Sequence, residues 1–267
     1  MKKYLSFFRV RFMLGLQYRT AALAGMVTQF FWGGMNILMY GAFHASDPSA
    51  FPMTLEATCS YIWLQQAFLM LFAAWLLESE IFDDIVSGNV AYELCRPVNI
   101  YDMWFSRSAA NRLSRAVLRA FPILLFAALL PAPWGMSAPA DLMHFLLFLL
   151  TAVLGFLVTV AFFMLIYVLT FYTVSPNGLR ILISSVVEFF AGAIIPLPFF
   201  PDGVRRVVEC LPFAAMQNVP LRIYSADMSA LQMQRAIALQ VFWLVALYAG
   251  GRLLCAHAVR KMTVQGG

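Results

Sequence analysis

The sequence predicts an all-α polytopic membrane protein with six transmembrane helices, on three observations. Hydrophobic residues make up 62% of the chain and charged residues 12%, whereas a soluble domain typically has roughly 45–50% and 25%. Uncharged apolar stretches of membrane-spanning length recur along the whole chain. Lys and Arg residues gather in alternate connections between these stretches. A soluble core of this size could not enclose so much apolar side chain, so most of the chain should be surrounded by lipid.

The first elements are an interfacial helix and two spans. Residues 2–19 mix basic and aromatic side chains, which is typical of a helix lying along the inner membrane surface. The first span, 20–43, is uncharged and contains glycines suited to close helix contact. A connection without Lys or Arg leads to the second span, 59–77, which carries Gln65 and Gln66 near its middle. Amides in hydrocarbon need partners, so at least one should face another helix or a water-filled cavity.

Four further spans complete the prediction of one transmembrane domain over residues 1–267. The third, 116–130, follows an arginine-rich approach and contains Pro122, which should kink it. The fourth, 142–171, exceeds the roughly 20 residues that a bilayer requires and should tilt. The fifth, 179–195, contains Glu188, and the sixth, 236–256, leads to a basic stretch.

The connection between the fifth and sixth spans is rich in helix breakers but stays apolar. Such a sequence, too short to cross the bilayer, predicts a partly re-entrant hairpin at the outer face. The residues that mark it are Gly192, Pro196, Pro198, Pro201 and Pro212.

The distribution of basic residues predicts the orientation. Of the 18 Lys and Arg residues, 14 lie in stretches assigned to the cytoplasmic side, and both short outer connections have none. The other four, Arg205, Arg206, Arg222 and Arg235, lie in the long outer connection, where the charge bias is weaker. Both termini are therefore expected in the cytoplasm.

Between the second and third spans lies the most charged segment, Glu78 to Asn99, called the acidic segment below. Its apolar and acidic residues alternate at helical spacing, which predicts a short amphipathic helix at the membrane surface. Gly88 and Asn89 can end this helix in a left-handed cap. A second short helix, 90–95, should stop before Pro97.

This segment resembles the permeases of type-2 ABC exporters. The resemblance rests on Gly88-Asn89-Val90-Ala91-Tyr92-Glu93-Leu94-Cys95-Arg96-Pro97, on the outer hairpin, and on Val264-Gln265-Gly266-Gly267, the tail of a branch ending in Gly-Gly. It implies a cytoplasmic coupling helix that docks on a separate ATPase subunit, with charged contacts from some residues and apolar seating from others. The expected coupling residues are Glu80, Ile81, Phe82, Asp83, Asp84, Glu93, Arg96 and Pro97.

The same resemblance implies the partners and the location. Two ATPase copies would bind ATP and Mg, and this chain would carry no cofactor. A second permease chain, identical or a related paralogue, would complete a dimer in the bacterial inner membrane. The substrate would be amphipathic or hydrophobic, and no nucleic-acid partner is expected.

The chain shows no motif for chemistry of its own. Neither a phosphate-binding loop followed by Lys-Ser or Lys-Thr nor a His-Glu-x-x-His or Gly-x-Ser-x-Gly motif is present. The four cysteines lack metal-binding spacing, and the redox states of Cys59 and Cys210 stay open. We therefore predict no catalytic and no metal-binding residue, and energy must come from a gradient or another subunit.

Glu188 leaves two alternatives open, because a charge inside a span costs on the order of 3 kcal/mol. It lines the translocation path or dimer seam together with Gln65, Gln66 and Asn36, or it is a structural partner for one of them. In a competing hypothesis, the chain is a gradient-driven secondary transporter with Glu188 as its proton site, although such carriers usually show matching interrupted helices in both halves. An integral-membrane lipid enzyme is a third class, but it would need a cluster of carboxylates or histidines that the sequence lacks.

Overall fold

The computed structural model describes residues 2–17, 19–173 and 175–262, and within these ranges the chain is helical without a β-strand. The predicted all-α class is therefore confirmed. The Gly-Gly tail lies outside the described residues. The described helices are α1 (Lys2–Gly15), α2 (Arg19–Ser46), α3 (Leu55–Ala67), α4 (Leu69–Phe72), α5 (Ser79–Ser87), α6 (Val90–Leu94), α7 (Ile100–Leu129), α8 (Leu142–Thr170), α9 (Pro176–Phe190), α10 (Asp202–Glu209), α11 (Asn218–Tyr224) and α12 (Ala230–Lys261).

Two of the described helices, α8 and α12, are long and apolar enough to cross a membrane. The predicted third span is the second half of α7, which runs unbroken through the arginine-rich approach and past Pro122. Helix α9 has 15 residues, or about 22 Å at 1.5 Å per residue, which is shorter than the roughly 30 Å hydrocarbon core. The number and order of membrane crossings therefore stay a prediction.

The second predicted span, 59–77, is not one continuous helix. Helix α3 starts earlier, with Thr54 as its N-cap, and ends at Ala67. After Phe68, α4 adds only four residues, and the backbone from Ala73 to Leu77 is not helical. Since freed carbonyls in this region need donors, the break depends on a partner from another helix, described below.

Helix α8 is the centre of the fold. It contacts α4, α5, α7, α9, α11 and α12, and its inner half is almost fully buried, including Val158, Phe163 and Tyr167. Helix α8 thus contacts α4 and α5 as well as α11, so it connects the segment before α7 with the segment before α12.

The connection from α9 to α12 packs against the helical bundle, and its re-entry into the membrane at the outer face stays a prediction. Gly192 is buried with φ +79, a conformation that favours glycine. A Cβ on Gly155 of α8 would lie 2.1 Å from the carbonyl oxygen of Met216, so the hairpin backbone contacts α8 directly. The buried Gln240 Nε2 donates to the carbonyls of Thr151 at 3.0 Å and Ala215 at 2.9 Å, which joins α8, the hairpin and α12.

Glycines of α2 mostly serve contacts inside this chain. Added Cβ atoms at Gly25, Gly33 and Gly41 would collide with Arg119, Trp63 and Trp134, respectively. Only Gly34 of these four faces open space. The outward side of α2 carries a row of exposed apolar side chains that includes Leu23, Val27, Phe31, Trp32, Met35 and Leu38.

Candidate functional site

The acidic segment folds as two short helices with a bend between them. Helix α5 ends at Gly88, which has φ +79 and donates its N–H to the carbonyl of Ile85 at 3.3 Å. The predicted left-handed cap is confirmed at this residue. Helix α6 ends at Leu94, two residues before Arg96-Pro97, where the proline restricts the preceding residue.

The apolar face of α5 packs on protein rather than on a membrane surface, which corrects the sequence-based expectation. Ile81 and Phe82 are fully buried. The Phe82 ring lies 5.0 Å from the ring of Tyr167 in α8, and the Arg180 guanidinium lies 4.8 Å above it. An amphipathic helix buries its apolar face wherever apolar surface is available. A neighbouring helix can therefore cover this face as well as a bilayer can, and the sequence pattern is the same in both cases.

The start of α5 is fastened to α7 and α8 by polar contacts. The buried Arg107 hydrogen-bonds Glu80, and its Nε lies 3.7 Å from Glu78 Oε2. Asn111 Nδ2 donates to Glu78 Oε1 at 2.8 Å, and the Glu78 backbone N–H donates to the Tyr167 hydroxyl at 2.8 Å. A buried guanidinium requires such carboxylates, because an unpaired charge there would be costly.

A second anchor is Arg112, five residues further along α7. Its guanidinium is buried and donates to the carbonyls of Leu71 at 3.2 Å, Ala73 at 2.9 Å and Leu76 at 2.6 Å. It also lies 4.8 Å from the ring centroid of Phe163. The Leu71 carbonyl belongs to α4, and those of Ala73 and Leu76 belong to the non-helical stretch that follows it. Arg112 therefore supplies donors that the broken helix lacks.

The end of the acidic segment is held by α7 and by the N-terminal helix. Trp104 Nε1 donates to Glu93 Oε2 at 2.6 Å. Lys3 Nζ donates to the Pro97 carbonyl at 3.3 Å, and the Asn99 N–H donates to the Tyr4 hydroxyl at 2.9 Å. The acidic segment is therefore attached to α7 and α8 at its start and to α1 and α7 at its end.

The structure divides the expected coupling residues into two groups. Ile81 and Phe82 are buried inside this chain, which leaves them no surface for a partner. Glu93 is half-buried and accepts from Trp104, whereas Glu80 bonds Arg107 but keeps an exposed side chain. The outward surface, called the outward face below, is formed by the exposed residues Glu80, Asp83, Val86, Ser87, Tyr92, Leu94, Cys95, Arg96 and Pro97 together with the half-buried Asp84. Tyr92, 76% exposed, had not been singled out, although an aromatic residue between charges on a surface helix is a signal for a binding surface.

The residues expected to line the path or seam do not form one cluster. Gln65 Nε2 donates to the carbonyl of Gly192 at 3.3 Å and hydrogen-bonds that of Ala193, so it holds the hairpin. Gln66 is buried, and Asn36 is half-buried. Glu188 is half-buried, and its side chain makes no hydrogen bond or ion pair with any described residue, Gln65, Gln66 and Asn36 included.

The hairpin markers occupy different environments. Gly192 also accepts a hydrogen bond from the Tyr61 hydroxyl at 3.3 Å. Pro196, Pro198 and Pro212 are buried, whereas Pro201 is exposed and precedes α10. No group of three or more His, Cys, Asp or Glu residues in the described ranges is arranged to hold a metal ion.

Sequence reasoning missed the anchoring roles of Arg107 and Arg112, which looked like part of a basic approach to the third span. Their burial could not be read from composition. The available signal was the pairing of acids before Ile81 with arginines on the following helix. Tyr167, inside an apolar stretch, gave no such signal.

Comparison with known proteins gives one finding and one negative result. A comparison with curated proteins finds no significant match. The family described as ABC-2 family transporter protein matches residues 50–266, which is more than half of the chain and includes the acidic segment and the hairpin. Membership implies a membrane protein that works in an ABC transporter with an ATPase partner. The chain therefore belongs to the ABC-2 transporter family, as a membrane permease subunit.

Proposed function

We propose that this chain is the permease of an ABC exporter that moves an amphipathic or hydrophobic substrate across the bacterial inner membrane. It would cross the membrane six times with both termini in the cytoplasm. Two ATPase subunits would bind ATP and Mg and supply the work. The observation that carries the proposal is the acidic segment, which is fastened to the bundle on one side and offers the outward face on the other.

The outward face has the composition of a docking surface. Asp83 and Arg96 provide charges of both signs, Tyr92 provides aromatic area, and Val86 and Leu94 are exposed apolar residues. Aromatic and arginine side chains are enriched among residues that dominate binding energy. Glu78 is half-buried against Arg107, whereas Glu80 pairs with Arg107 and still offers an exposed carboxylate to a partner.

The anchors define a route for movement. When the ATPase subunits close, a displacement of the acidic segment would pass through Tyr167 and Phe82 to α8, and through Arg107 to α7. Because packed helices move as rigid bodies, α8 would carry the shift to α11, α12 and the hairpin. Rocking of two such permease chains would alternate access between the two sides.

The second permease chain is proposed to lie on the outward side of α2. That side is apolar, and Gly34 lies on it without a neighbour within 4 Å, as close helix contact requires. Either an identical chain or a related paralogue could supply the matching helix. The remainder of this surface would face lipid.

The test is co-purification with the ATPase subunit after changes to the outward face. We expect Tyr92→Ala combined with Arg96→Glu to weaken association by at least about tenfold, or about 1.4 kcal/mol, and to uncouple ATP hydrolysis. Arg9→Glu, an exposed change on α1, is the control. Full association and transport in the double variant would refute the proposal.

One observation favours a second candidate, a secondary transporter driven by a proton gradient. The Glu188 side chain has no hydrogen-bond or ion-pair partner among the described residues, so its carboxyl group is available to take up and release a proton. In proteoliposomes without any ATPase, this candidate predicts substrate movement under a pH gradient that Glu188→Gln abolishes. Movement only with ATP and the ATPase subunit excludes it.

A further inference from the structure

A cavity of about 620 Å³ lies between α10, α11 and α12. All four arginines of the outer connection line it, namely Arg205, Arg206, Arg222 and Arg235. These are the four residues that depart from the cytoplasmic bias of basic charge. Their convergence on one cavity gives that departure a structural reason, and we call the feature the outer basic cavity.

Two of these arginines are fixed in place by acids. Arg222 is buried, with Nη1 2.7 Å from Glu209 Oε1 and Nε 2.7 Å from Asp227 Oδ2. Burial raises the pKa of Asp227, and Arg222 counteracts this by favouring the carboxylate. Arg205 Nη2 lies 2.6 Å from Asp202 Oδ1. These two arginines and three acids together carry a net charge of −1.

The other two arginines supply the excess positive charge. Arg206 and Arg235 are exposed, and neither forms a salt bridge with a described residue. They approach the cavity from different helices, α10 and α12. Four arginines against three acids thus leave a net positive rim, and guanidinium groups bind phosphate oxygens in a bidentate manner.

The interior of the cavity differs from the rim. Ala214, Ala215, Val219 and Leu239 provide an apolar lining. Asn218, 2% exposed, has its Oδ1 buried without a hydrogen-bond donor. A buried acceptor without a partner costs free energy, and a hydroxyl group of a ligand would satisfy it. The volume is within the range of small-molecule sites.

From this combination we infer that the outer basic cavity binds the phosphate-bearing headgroup of an anionic amphiphile. Arg206 and Arg235 hold the phosphate, Asn218 accepts from a headgroup hydroxyl, and the apolar lining contacts the start of the tail. A bilayer phospholipid and a free phosphate share the chemistry that the rim recognises. The inference does not depend on the ATPase.

The experiment is isothermal titration of the full-length chain in a neutral detergent with three probes. These are short-chain phosphatidylglycerol, short-chain phosphatidylcholine and inorganic phosphate. We expect phosphatidylglycerol to bind about tenfold more tightly than phosphatidylcholine. Binding of inorganic phosphate with equal affinity would assign the site to a free anion, and its failure to bind would assign the site to a lipid.

The variant Arg206→Gln/Arg235→Gln should remove this preference and leave folding intact, because both side chains are exposed. The matched control is Arg260→Gln/Lys261→Gln, which removes the same charge from exposed positions at the other end of α12. The control should bind like the parent chain. An unchanged preference in the Arg206/Arg235 variant, or an equal loss in the control, would overturn the inference.

Discussion

Replacing Arg112 with methionine tests whether the break after α4 depends on this side chain. Arg112→Met keeps most of the volume but removes the donors to the carbonyls of Leu71, Ala73 and Leu76. The Ala73 carbonyl keeps the Leu76 N–H as a donor at 3.4 Å, so two carbonyls lose their donor. Each costs about 1–3 kcal/mol, a gross loss of about 2–6 kcal/mol. Relief from burying the guanidinium offsets part of this loss. We expect a net destabilisation of about 3 kcal/mol.

The assay is thermal unfolding of the purified chain in detergent. A loss of about 3 kcal/mol corresponds to a fall in melting temperature of roughly 6–12 °C for a chain of this size. Arg112→Lys should recover part of the loss, since an ammonium group can reach some of the same carbonyls. Arg115→Met changes an exposed arginine three residues further along α7 and should leave the melting temperature unchanged. Equal melting temperatures for Arg112→Met and Arg115→Met would refute the reasoning.

Two further substitutions test the contacts of α8 by the same assay. Gly155→Ala would place a Cβ 2.1 Å from a backbone carbonyl of the hairpin, and we expect it to lower the free energy of unfolding by at least about 2 kcal/mol. The control is Gly250→Ala, whose Cβ would meet no atom within 4 Å. We expect the control to be neutral or stabilising by about 0.5–1 kcal/mol. Similar melting temperatures for the two variants would show that the hairpin does not contact α8 as described. Tyr167→Phe keeps the ring against Phe82 and removes the acceptor of the Glu78 N–H. It should lower the free energy of unfolding by about 1 kcal/mol and speed hydrogen exchange of the Glu78 amide. An unchanged exchange rate would contradict this contact.

The helical class and the bend at Gly88 could be predicted because they depend on local properties. Apolar length, charge placement and the conformational freedom of glycine act within a few residues. The break at Ala73 could not, since it is stabilised by Arg112, which is 39 residues from Ala73 in sequence. The apolar stretch 59–77 predicts one span, but its helix is interrupted where Arg112 of α7 donates to its carbonyls.

The coupling residues also depend on contacts with residues distant in sequence, which a local pattern does not show. The sequence identifies which side of α5 is apolar, but it does not say what covers that side. Tyr167 covers Phe82, and Arg107 takes the acids at the start of the helix. The prediction therefore located the segment but was wrong in assigning Ile81 and Phe82 to the ATPase contact, since both are buried in this chain.

The attachment of α1 to Pro97 and Asn99 has a practical consequence. Lys3 and Tyr4 hold the last turn before α7, so α1 should travel with the acidic segment during a transport cycle. A fluorophore at the exposed Leu5 or Val10 would then report that displacement without touching the surface offered to the ATPase. A bulky fusion beside Lys3 would instead hinder the joint displacement of α1 and the acidic segment.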